Sequence, residues 1–165
     1  MTPLAPRSVV LSLLLILGAP CAAVAQVVPS ANVRTTFWGF AALGIGAASD
    51  STFYAAGIGA AVQFRKLVLL GRIASVGPKK ENRMEDLGLL AGIGTRPGRV
   101  HVAVAAGLGV AHNSRDTSAL AVPLEAQVTW HFSRLVGLGV RGFLSVNRIA
   151  TFGGLTLHVQ VGRLR

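Results

Sequence analysis

Few residues in this chain can do chemistry, and most of those are charged groups or imidazoles set among apolar neighbours. Glu125 and Arg141 come first. Each lies in a stretch that alternates large apolar residues with small or polar ones. A three-residue connection at 132–134 would place the two directly opposite each other on neighbouring strands. A charge in an apolar interior needs a partner, and Arg72 is expected to join from across the fold. The chemistry on offer is a buried ion pair, structural in the first place, or a gate on a polar path for small solutes. Gln127, His158 and Gln160 share the same alternating face and extend it into a polar network.

The imidazoles come next. His101 and His131 fall near the same end of two adjacent stretches and are expected side by side. Two imidazoles can ligate a transition metal. No third ligand stands at a suitable spacing, so no metal and no cofactor is expected. His131-Phe132-Ser133 sets a base two residues from a hydroxyl, which becomes an activated nucleophile if the two come within hydrogen-bond reach. No carboxylate follows in the chain, and no Gly-x-Ser-x-Gly elbow is present, so no catalytic residue is assigned. Lys79, Lys80 and Arg83, in the segment GPKKENRM, can hold phosphates by charge-assisted hydrogen bonds. Glu81 and Glu85 beside them make a solvated loop the plainer expectation.

These residues must be positioned by the rest of the chain. Its 165 residues suit one domain. Residues 7–25 read RSVVLSLLLILGAPCAAVA. One Arg, a short apolar run and Ala23-Val24-Ala25 form the pattern of a secretory signal peptide cut before Gln26. That leaves 26–165 as the folded domain. Cys21 is the sole cysteine and leaves with the signal, so neither a disulfide nor a cysteine–zinc site is possible. The formal charge of the whole chain is +10, and loss of Arg7 lowers it by one. Such a charge suits nucleic acid. A secreted, apolar chain with its cations at strand ends does not. Anionic lipid or lipopolysaccharide phosphate is the expected partner surface.

The mature chain shows no helical period. It alternates with period two, broken by turn residues every 10 to 18 positions. Eight strands are predicted: 34–46, 52–65, 66–76, 85–95, 99–112, 118–132, 135–147 and 150–163. Three connections are tight, at Arg65-Lys66, Arg96–Arg99 and Ser133-Arg134. Pro97-Gly98 suits the centre of a type II turn. In HVAVAAGLGVAH, residues 101–112, the large side chains hold the even positions. The sixth, seventh and eighth strands likewise put Val and Leu on one face and Gly, Gln, Arg and His on the other. The polar face is thus the small face. Too few charges lie on it for a water-facing exterior, but it suits a narrow lumen that side chains fill. The large face then meets lipid. The third strand would send Val68, Leu70, Arg72, Ala74 and Val76 inward. Aromatics fall near strand ends: Phe37, Trp38, Phe64, Trp130 and Phe132 at one side, and Phe53, Tyr54 and Phe152 at the other. Two aromatic girdles at the membrane interfaces are expected from them.

On this pattern, residues 34–165 resemble the small eight-stranded outer-membrane β-barrel proteins. The resemblance implies an all-β, antiparallel, up-and-down transmembrane barrel with short turns toward the periplasm. It implies a non-catalytic structural or surface-interaction role, outer-membrane lipid and lipopolysaccharide as partners, and the barrel assembly machinery during biogenesis. The chain departs from that family at Val161-Gly162-Arg163-Leu164-Arg165, where an aromatic residue usually ends the last strand. Some small barrels that remove acyl chains from lipid A carry a His-x-Ser pair, which His131 and Ser133 match in part. A barrel enzyme acting on lipid A is therefore one alternative. A soluble periplasmic lipid-binding barrel, with the large face turned inward, is the other.

Overall fold

The computed structural model describes residues 35–48, 51–77, 83–114 and 117–164. The segment expected to be a signal peptide lies outside these, as do Lys79 and Lys80. Eight strands run in chain order: β1 Thr35–Ala48, β2 Ser51–Phe64, β3 Leu67–Val76, β4 Met84–Gly94, β5 Val100–Asn113, β6 Ser118–His131, β7 Val136–Asn147 and β8 Phe152–Arg163. Each pairs antiparallel with the next, and β8 pairs with β1, so the sheet closes. All eight lie within two residues of the expected bounds. Closure removes both sheet edges, so strand backbone can be satisfied within the sheet.

Alternation decides the faces. On β5, Val100, Val102, Val104, Leu108 and Val110 are exposed, whereas His101, Ala103 and Ala111 are buried. The same split holds on β6 to β8, where the exposed set includes Leu120, Val128, Leu138, Val140, Leu157 and Val159. The large branched face is outside and the small polar face is inside.

The inward face of β3 joins two apolar layers. Val68 and Leu70 pack with Trp38, Phe40, Leu90 and Leu164 at the tight-turn end. Ala74 and Val76 pack with Met84, Phe143 and Phe152 at the loop end. Arg72 falls between the layers along β3. Leu164 follows β8 and tucks into the first layer, held by its N–H donating to the Arg134 carbonyl at 2.9 Å.

The structure corrects several expectations. Trp38 and Phe152 turn inward and do not join a girdle, because each shares parity with its strand's lumen-facing residues; Phe152 is 1% exposed. Phe53 packs on the loop-end layer. At the turn end Phe37, Trp130 and Phe132 are exposed and Phe64 is half-buried on the outward face, and at the loop end Tyr54 alone of the three expected residues is exposed, at 83%. Pro97-Gly98 does not form a type II turn, since Gly98 takes no positive φ. The β4–β5 ladder runs on through Thr95, whose N–H donates to the Val102 carbonyl at 2.8 Å. The longer connection spreads the reversal over several residues. Arg65, by contrast, sits in a two-residue hairpin turn with φ at 57°, the left-handed region such turns demand.

One strand breaks a rule of sheets. Pro123 lies inside β6, and β5–β6 pairing is interrupted between Ala106↔Leu124 and Gly109↔Ala121. Proline has no N–H to give to that ladder.

Candidate functional site

The charged residues of the lumen converge. Arg141 Nη2 donates to Glu125 Oε2 at 2.7 Å. Arg72 Nη2 donates to Asp86 Oδ2 at 2.9 Å, and Arg72 Nε lies 3.7 Å from the same Glu125 oxygen. Arg72 and Arg141 are 1% and 0% exposed. The cluster pairs two guanidiniums with two carboxylates, and aromatic faces complete it. The Arg141 guanidinium stands 4.3 Å from the Phe40 ring centroid, and that of Arg72 is 5.2 Å from Phe143. Cation–π contact is strongest where water is excluded. Gly57 makes room for this group, since a Cβ there would fall 2.8 Å from Arg141 Nη1.

The register differs from expectation. Arg141 sits opposite Gln127, and Glu125 sits opposite Phe143. The β6–β7 connection is longer than three residues, with Phe132 N–H donating to the Val136 carbonyl. The ion pair forms all the same, on the diagonal, because an Arg side chain is long enough to span it. Asp86 is the member that inspection of the sequence misses. Its only signal there is a single acid alternating with Gly88 and Leu90 on the strand beside Arg72.

A second polar layer lies toward the turn end. Gln160 Nε2 donates to Gln127 Oε1 at 3.1 Å, and Thr129 Oγ1 bonds His158 Nε2 at 2.9 Å. Both contacts run from β6 to β8, across β7. They can do so because β7 presents Gly139 between them, where a Cβ would come within 2.8 Å of His158 Cε1. The Gly-rich character of the small face thus serves the long polar side chains of its neighbours.

The imidazoles meet as expected. The His101 and His131 rings stack with centroids 6.0 Å apart and 17° between planes. His101 Nε2 bonds Gln63 Oε1 at 2.9 Å, and Trp38 meets its ring edge-on at 5.3 Å. His131 Nδ1 donates to the Gly98 carbonyl at 2.7 Å. His158 sits apart, on Thr129. Among the described residues no three His, Cys, Asp or Glu gather to hold a metal ion.

His131 is buried within the barrel, whereas Ser133 is exposed in the turn. The Ser133 hydroxyl accepts the N–H groups of Leu135 and Val136 at 3.1 and 3.0 Å, so it serves as a turn cap. At the loop end Arg83 Nε pairs with Glu85 at 2.5 Å, and its Nη2 donates to Ser75 Oγ at 3.4 Å.

No family model and no curated protein sequence matches the chain. Solved structures do. Neisserial surface protein A superposes with a TM-score of 0.56 at 13% identity, covering 79% of this chain and 99% of that one. The attachment invasion locus protein Ail of Yersinia pestis gives 0.55 at 10% identity, covering 80% and 99%. The N-terminal β-barrel domain of Pseudomonas aeruginosa OprF gives 0.54 at 13% identity, covering 79% and 99%. The large residues outside, the polar residues inside and these neighbours agree: the chain has the fold of the small eight-stranded outer-membrane β-barrels.

Proposed function

We propose that the protein is a non-catalytic integral barrel of a Gram-negative-type outer membrane, exported by a cleaved N-terminal signal. Its lumen is plugged by Arg72, Glu125, Gln127, Arg141, His158 and Gln160, and it acts through its surfaces. The observation that carries this reading is the buried four-charge cluster between two apolar layers. An eight-stranded lumen is only wide enough for side chains to fill, and here they are long and mutually paired. A solute would have to part ion pairs in a low-dielectric interior, where leaving a charge alone is costly. The outward valines and leucines match hydrocarbon as solvent. Partners in this reading are membrane lipid, the barrel assembly machinery, and lipopolysaccharide phosphates reached by Lys79, Lys80 and Arg83.

Two measurements test it together. Protein from the outer-membrane fraction should migrate differently on SDS gels before and after boiling, and should give no steady conductance steps in planar bilayers. Recovery in the soluble periplasmic extract without a gel shift would overturn the membrane assignment. Steady conductance from a heat-shifting barrel would overturn the plug.

A further inference from the structure

The two ends of the barrel differ in charge. Six exposed cations ring the tight-turn end: Arg65, Lys66, Arg96, Arg99, Arg134 and Arg163. Among the described residues no acidic residue accompanies them. Of the six acids in the chain, Asp86 and Glu125 are inside the barrel. Asp50, Glu81, Glu85 and Asp116 belong to the other end by sequence position, and the first 34 residues contain none. Among the described residues, none of the six cations is paired with a carboxylate.

The ring is fixed in place through its backbone. The carbonyls of Lys66, Arg99 and Arg134 accept the N–H groups of Gly94, His131 and Leu164 at 2.7, 2.8 and 2.9 Å. Each basic turn is thereby stitched to the next element round the rim. Beside the ring, Arg99 stacks its guanidinium 5.0 Å from the Trp130 ring centroid. Trp130 is 46% exposed on the outward face, where an indole settles at the headgroup level of a bilayer. Below it an open apolar groove of about 390 Å³ is lined by Trp130, Phe132, Leu138, Gly139, Val140 and Leu157.

We infer that the turn end of the barrel is a collar for anionic phospholipid, with Arg99 and Arg134 holding the headgroup phosphate above an acyl chain laid in the Trp130–Leu157 groove. This inference rests on the membrane reading above. The chemistry is complementary at both ends of the ligand. A phosphodiester meets guanidiniums that no carboxylate among the described residues satisfies. A hydrocarbon chain meets a groove without polar side chains. An uncharged or zwitterionic headgroup would leave the ring's repulsion uncompensated, so net negative charge is selected.

The test uses the full-length chain, expressed, purified and placed in nanodiscs of phosphatidylcholine and phosphatidylglycerol in equal parts. Native mass spectrometry then counts the lipids retained. The parent should retain phosphatidylglycerol over phosphatidylcholine by on the order of tenfold, as expected when several cations face an anionic headgroup. The preference should shrink as salt is raised. The double variant Arg99→Gln/Arg134→Gln should lose most of it while keeping the heat shift on gels. Arg148→Gln, at the loop end, should keep it. Equal retention of the two lipids by a heat-shifting parent overturns the collar alone, as does a preference that survives the double variant. A chain that shows no heat shift and needs no detergent overturns the membrane reading and the collar together.

Discussion

At the scale of single residues, the lumen shows how a long side chain forgives a register. Arg141 reaches Glu125 along a diagonal, and Arg72 shares that carboxylate while holding Asp86. Removing one partner from such a set leaves a buried charge alone, which typically costs about 3–5 kcal/mol. Glu125→Ala should therefore lower unfolding stability by about that much in urea titrations on vesicles. Replacing the pair together, as Glu125→Leu with Arg141→Met, should cost far less, since no charge is stranded. A double variant as unstable as the single one would show that the pair's role is not charge compensation. Arg65 offers a second case. Its φ of 57° is poorly tolerated by a residue with a Cβ. Arg65→Gly should raise stability by about 1 kcal/mol in the same titration. A loss would mean that the arginine side chain contributes more than its strain.

At the scale of elements, each strand is a two-sided object whose faces meet different solvents. The outward face of β5 is a run of Val and Leu, and Val104 pairs with Ile93 and Ala126 on the neighbouring strands. Val104→Arg should destabilise the barrel by about 2–4 kcal/mol, the cost of a cation at the bilayer midplane. Vesicle refolding equal to that of the parent would show that this face is not in hydrocarbon. The strands themselves were legible because period two persists in every one of them. Their registers were less so. The expected Glu125–Arg141 opposition fails by one inward-facing step on β7, because turn length sets register, and the β6–β7 turn carries no residue pair that dictates its length. The girdles are thinner than strand-end position alone implies, for a related reason. Trp38 and Phe152 stand at strand ends, but parity sends them inward, and parity outweighs position along the strand.

At the scale of the whole molecule, the outward apolar band implies a folding requirement. So many large side chains are exposed on the outer face that water alone is a poor solvent for the closed barrel. Diluted from urea into buffer, the chain should aggregate. Diluted into detergent micelles or short-chain lipid vesicles, it should gain a β-type circular dichroism spectrum and the heat-dependent gel shift. A soluble, monodisperse barrel in plain buffer would contradict the reading of the faces. The uneven charge of the two ends also belongs to this scale, because it appears only when the turns of the chain are gathered into one rim.

Local periodicity and side-chain size are enough to give the strand count, the alternation and the identity of the lumen face. Shared parity also puts Arg72, Glu125, Gln127, Arg141, His158 and Gln160 on one inward face, and all six are buried. Which of them touch depends on how the strands are assembled. Asp86 enters the ion-pair cluster because β4 lies beside β3 with Ala74 opposite it. Thr129 meets His158 because Gly139 leaves a gap on the strand between. The apolar residues of β3 find their role as parts of two layers built from five or more strands. Such contacts depend on register, closure and the space that neighbouring strands leave, and those are properties of the assembled barrel rather than of any segment of the chain.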